Sequence, residues 1–222
     1  MRRALLILGL FVGQAAGPAL VAQARLPIGA QRVVDRIVAR IESDIITQSE
    51  VRELGRFQQL VEGKAAGDEE LLRQLIDQWV VATEAAASRF ERPTDAEVKG
   101  ELARLEKEFA SPEAFRARLG ELQLEEVAVR RLLGRQIWLS RYLDYKFRPA
   151  AQVEDAEIER YYREDLSAQL RARGQTVPPL DAVSEQIREL LTQREITRRA
   201  GRWLGETRPR LRIETNLGGA KP

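Results

Sequence analysis

Histidine and cysteine are both absent from this chain. Without an imidazole or a thiol there is no serine–histidine or cysteine–histidine nucleophile, no soft metal site and no disulfide, so any core must be held by packing alone. Lysine occurs only at Lys64, Lys99, Lys107, Lys146 and Lys221, none within a nucleophile motif. The single methionine is Met1, which excludes the soft methionine-rich surface that some promiscuous binders use. Glycines stand singly or lie at the chain end, so no Gly-rich phosphate loop is present, and no cofactor is expected. Aromatic residues are sparse, at 6%.

Long apolar runs are also missing apart from Ala4 to Val12, which follows Arg2 and Arg3 and precedes the small-residue site Ala22-Gln23-Ala24. This is the layout of a cleavable export signal, residues 1–24, with cleavage between Ala24 and Arg25. The run is too short for a stable membrane anchor, and Pro18 interrupts the residues after it. With no cysteine a lipid anchor is excluded, so a periplasmic protein is expected. The two signal arginines account for the whole formal charge of +2, leaving the mature chain neutral with acids interleaved throughout. Nucleic acid is therefore not an expected partner. The arginine-rich stretch from Arg194 to Arg212 reads as a solvated helix face and tail.

After a flexible lead over residues 25–32, residues 33–46 carry two β-branched runs around Glu42-Ser43-Asp44, which predicts a short hairpin. Thr47-Gln48-Ser49-Glu50 is a capping box, and Val51, Leu54, Phe57, Leu60 and Val61 then form a stripe closed by Gly63 and Gly67. A helix is predicted from Glu69 to Arg89. Another starts behind the capping box at Thr94 and Glu97, and a third starts at Ser111-Pro112 and ends at Gly120. The next runs from Leu124 to Phe147 with Leu124, Val127, Leu132, Ile137, Leu139, Tyr142 and Leu143 as its stripe and Trp138 beside it. Pro149 ends it, and a helix over Asp155–Arg173 stops at Gly174 and Pro178-Pro179. Asp181 is the expected cap of a last helix over residues 181–208. Its apolar seam, including Val183, Ile187, Leu190, Leu191, Trp203 and Leu204, must pack back on the rest. Leu211 to Thr215 alternates and fits a strand added to the hairpin, before a tail at residues 216–222. The fold expected is mainly α with a small N-terminal β-hairpin and a C-terminal strand. Residues 33–150 form its helical body and 151–215 pack back on it.

The string Val34-Asp35-Arg36-Ile37-Val38-Ala39-Arg40-Ile41 ahead of Ile45-Ile46-Thr47-Gln48-Ser49-Glu50-Val51 resembles the start of the SurA N-terminal domain. That family comprises periplasmic factors that hold unfolded outer-membrane proteins. The resemblance continues through Leu72 to Asp77, Pro93 to Val98, and Arg135 to Trp138 up to Phe147-Arg148-Pro149, carried by order and spacing. It implies a chaperone-like holdase whose partners are unfolded exported polypeptides. The family's parvulin prolyl isomerase domain has no room in the short break at 174–180, and its active-site histidines are missing. Isomerase activity is therefore not implied, and no enzyme is expected.

Phe57, Trp79, Phe115, Trp138, Tyr142 and Trp203 are the candidates for a peptide-binding groove, because rings supply contact area with little sequence demand. Each also fits plain core at helical spacing. Glu69-Glu70, Glu125-Glu126 and Glu157 with Glu159 read as wet helix faces, since adjacent helical side chains diverge. A holdase and an assembly subunit with one dedicated partner share every one of these features, and both stay open.

Overall fold

The structure, a computed structural model, describes residues 35–217. The export signal, its cleavage site at Ala24 and Arg25, and the lead at 25–32 lie outside them. Strand β1 (Ile37–Ile41) turns through Glu42-Ser43 into β2 (Asp44–Thr47), with Glu42 in the left-handed region at φ 52°. Five helices come next: α1 (Gln48–Val61), α2 (Asp68–Ala87), α3 (Asp95–Lys107), α4 (Pro112–Glu121) and α5 (Glu126–Phe147). A short helix α6 (Asp155–Tyr161) passes through a π turn at Tyr162–Leu166 into α7 (Ser167–Ala172). Residues 173–179 then lead into α8 (Leu180–Thr207) and β3 (Ile213–Thr215). Among the described residues the fold is thus mainly α with one three-stranded antiparallel sheet, ordered β2-β1-β3.

The local signals explain the starts. At α1 the Glu50 carboxylate accepts from the Thr47 N–H at 2.8 Å, and Glu97 does the same for Thr94 at 2.8 Å ahead of α3. Ser111 accepts from the Ala114 N–H at 3.2 Å with Pro112 at the tolerated first position. At the end of α1, Gly63 adopts φ 75°, the conformation that closes a helix most readily at glycine.

Three apolar clusters hold the elements together. Val38, Ile41, Val51, Leu54, Leu72 and Ile76 join the sheet to α1 and α2. Phe57, Leu60, Leu102, Phe115, Val129 and Leu133 bind α3 and α4 to α1 and to the first half of α5. Val81, Ala85, Trp138, Leu139 and Tyr142 join α2 to the second half of α5, and Trp203 and Leu204 of α8 cover them. Helix α8 packs against α2 and α5, with Ile187, Thr192, Ile196 and Ala200 buried. Leu191 and Trp203 are half-buried and Leu190 is exposed. Strand β3 closes on β1 with Ile213 opposite Ile41, and the Asn216 N–H donates to Val38 O at 2.8 Å.

Three expectations need correction. The buried face of α5 is Val129, Leu133, Trp138, Leu139 and Tyr142, while Val127 is 67% exposed. Helix α5 carries apolar residues on more than one side, and the layer of α3 and α4 decides which side is covered. Asp181 makes no capping hydrogen bond. Pro179 is the N-cap and Asp181 sits in the first turn, where a carboxylate favours the helix dipole. The helix expected over Asp155–Arg173 is interrupted by the π turn, in which the Ser167 N–H donates to Tyr162 O.

Candidate functional site

The six aromatic candidates do not share a surface. Phe57 and Phe115 belong to the cluster beneath α3 and α4, with Phe109 edge-on to Phe115 at 5.2 Å. Trp138 and Tyr142 are buried, and the Trp138 indole donates to Phe90 O at 3.2 Å. Half-buried Trp79 donates to Asp44 at 2.7 Å and so ties α2 to the hairpin turn. Trp203 sits 5.9 Å from the Phe147 ring beneath the Lys146 ammonium, which pairs with Glu84 at 2.9 Å. The structure therefore brings Phe57 and Phe115 together in one cluster and Trp138, Tyr142 and Trp203 in another, with Trp79 apart from both. Phe57, Phe115, Trp138 and Tyr142 are buried in the core and so do not line an open groove, whereas Trp79 and Trp203 stay half-buried.

Concave surface instead runs along α5. A groove of about 1170 Å³ opens between α3 and α5 beyond the end of α1, where Val61 is 45% exposed. Leu105, Phe109 and Ile137, all half-buried, form its apolar floor, and Glu101, Arg104 and Glu108 its rim. A smaller crevice of about 290 Å³ lies among α1, α2 and α5 and shares Val61, Gln136 and Ser140 with the first. Its wall is aliphatic at Leu132 and Leu143 and amide-bearing at Gln58, Gln74 and Gln78. A third depression, of about 840 Å³, lies on the opposite flank of the α3–α5 crossing and shares Leu132 and Arg135 with the crevice. At that crossing the helices approach so closely that a Cβ on Gly134 would stand 3.2 Å from Val98.

The charged groups nearby are engaged in holding helices. Glu97 meets Arg141 at 2.7 Å, bridging α3 to α5, and that hydrogen bond, with the Thr94 amide, pulls its pKa down to about 2. Across the molecule Arg148 is shared by Asp144 and Glu189, with Glu189 Oε1 at 2.8 Å. Hydrogen bonds from Arg148 and then Gln193 lower Glu189 to about 2. Such shifts report ion pairs, which perturb a pKa as well as catalysis does. The acid pairs singled out in the sequence are accounted for similarly: Glu70 pairs with Arg73, Glu126 with Arg130, and Glu157 accepts from the Glu154 N–H. Among the described residues no group of acids is arranged to hold a metal, and no helix is long and apolar enough to cross a membrane.

The sequence missed these grooves because concavity is tertiary. The only hint was an apolar residue, such as Val61 or Ile137, on a helix whose main stripe was already complete. A scan against protein-family models gives no match for this chain, and a search of curated proteins gives none either.

Proposed function

We propose that this protein is a periplasmic holdase of SurA-like type, which shields apolar segments of unfolded exported polypeptides without nucleotide, metal or prolyl isomerisation. The observation that carries the reading is the long concave face along α5, with aliphatic side chains at Val61, Leu105, Leu132 and Ile137 inside a rim of charge and amides. Partly exposed aliphatic side chains in a groove bind extended chains of many sequences, and polar rims limit affinity so that the client can leave. The resemblance over Val34–Val51 and the export signal agree with this role. Isomerisation is left out of the proposal because histidine is absent and residues 173–179 join α7 directly to α8.

The test is suppression of aggregation, followed by light scattering, when a chemically denatured client is diluted into the protein. The double variant Val61→Glu and Ile137→Glu should lose most of the suppression while its circular dichroism and melting transition stay those of the wild type. If the wild type fails to suppress aggregation and envelope pull-downs return one stoichiometric partner, the protein is a dedicated assembly subunit and the holdase reading is wrong.

A further inference from the structure

The depression behind the α3–α5 crossing differs from the other two in charge. Arg92, Lys99, Arg130, Arg131 and Arg135 line it, and Asp95 is the only acid in its wall. Arg130 and Arg131 are turned to Glu126 and Glu53. Among the described residues no carboxylate comes within 4.0 Å of Arg92, Lys99 or Arg135, so these three cations of the groove make no ion pair.

Two of them are held in place. The Arg92 guanidinium lies over the Trp138 indole, 4.1 Å from its centroid, which fixes the plane of its donors. Arg135 is half-buried where this depression meets the crevice among α1, α2 and α5. Burial disfavours its charge, with Glu50 partly offsetting this and Arg131 and Arg92 adding repulsion. A positive group taken partly out of water without an ion pair is stabilised by a carboxylate that reaches it. Between these cations the wall is apolar, at Val98, Leu132 and the largely exposed Val127. From Val127 to Trp138 helix α5 rises about 16 Å. An extended chain covers that span in about five residues.

Resting on the holdase reading, we propose that this groove selects acidic segments of the client. An extended stretch places carboxylates on Arg92, Lys99 and Arg135 and an intervening apolar side chain against Val98, Val127 and Leu132. A nucleic acid fits less well: Trp138 is buried and already covered by Arg92, leaving no ring on which a base could stack, and Asp95 opposes closely spaced phosphates.

The test uses the full mature chain and two fluorescein-labelled peptides of equal length, one alternating glutamate with leucine and valine, the other with glutamine at each glutamate. Fluorescence anisotropy should show the glutamate peptide bound about tenfold more tightly, with the preference shrinking as salt rises. The variant Lys99→Gln with Arg135→Gln should abolish the preference, keep the glutamine peptide's affinity and keep the wild-type melting transition. Equal binding of the two peptides, or a preference that survives the double variant, overturns the inference. Binding of anionic vesicles or single-stranded DNA but of neither peptide, lost in that variant, overturns it in favour of a general polyanion surface. The holdase reading is judged separately by client light scattering: a wild type that suppresses aggregation without acidic preference loses only the selectivity of this groove, whereas loss of both suppression and peptide binding removes both.

Discussion

Deleting everything after Gly174 removes α8 and β3 together, and the structure sets the size of the damage. Ile187 and Ile196 are 3% and 4% exposed. At about 1.5–3 kcal/mol for each large side chain taken fully from water, these two alone forfeit about 3–6 kcal/mol. Trp203 and Leu204 also leave the cluster of Val81, Ala85, Leu139 and Tyr142 open to solvent, and Ile41 loses its β3 neighbour Ile213. An ordinary domain has only about 5–15 kcal/mol in total. The truncated chain should therefore be poorly folded, bind a hydrophobic dye such as anilinonaphthalene sulfonate strongly and aggregate. The milder variant Ile196→Ala should cost about 2–5 kcal/mol. It should lower Tm by about 2–4 °C for each of those kcal/mol and remain a cooperative folder. Scanning calorimetry with dye fluorescence checks both. A truncated protein that melts cooperatively at the full-length temperature would make α8 an independent arm and contradict its place in the core.

Three further outcomes are expected. Glu189 has its pKa lowered from 4.5 to about 2 in the folded protein, and Asp144 is lowered as well. Their ion pairs with Arg148 therefore add stability that is complete above the ordinary carboxylate range and disappears as pH falls through it towards 2. Urea titrations between pH 6 and pH 3 should show a smaller loss in Glu189→Gln than in the wild type, and equal losses would contradict the assignment. A Cβ at Gly55 would stand 3.0 Å from Leu71 Cδ1 in the core between α1 and α2. Gly55→Val should accordingly lower stability by about 1–3 kcal/mol in denaturant melts, against no change if the contact can relax. N-terminal sequencing of the exported protein should begin at Arg25, and retention of residues 1–24 in a membrane fraction would overturn the signal reading.

Much of the chain's order was legible because its punctuation is local. A threonine and a glutamate three residues on, at Thr47 and Glu50 or at Thr94 and Glu97, need no distant partner to start a helix. Gly63, Gly174 and Pro179 likewise act within their own turn. The alternation at Leu211–Thr215 foretold the strand and even its docking on the hairpin, because a lone strand has nowhere else to go. The face of α5 was harder. Val127, Leu132 and Ile137 compete with Val129, Leu133 and Trp138, and the choice belongs to α3, α4 and α8, which arrive from elsewhere in the chain. The candidate site suffered more from the same limit. An aromatic ring announces buried area without saying whether a helix or a client will cover it. The cations of the third groove carried no signal in the sequence, because only the fold brings Arg92, Lys99 and Arg135 to one depression without an ion pair.

The sheet also governs how the molecule is made. Its central strand is β1, flanked on one side by its sequence neighbour and on the other by residues that are almost the last of those described. The Arg36 guanidinium reaches Leu217 O at 2.7 Å, and the Glu42 carboxylate accepts from the Arg212 N–H at 2.7 Å. A chain synthesised amino end first must keep one edge of β1 unsatisfied until Ile213–Thr215 has been made. Until then the exposed edge is open to whatever other strand passes. This ordering makes the final closure long-range and comparatively slow. A protein proposed to guard unfolded chains is thus, until its last strand has been made, one of them.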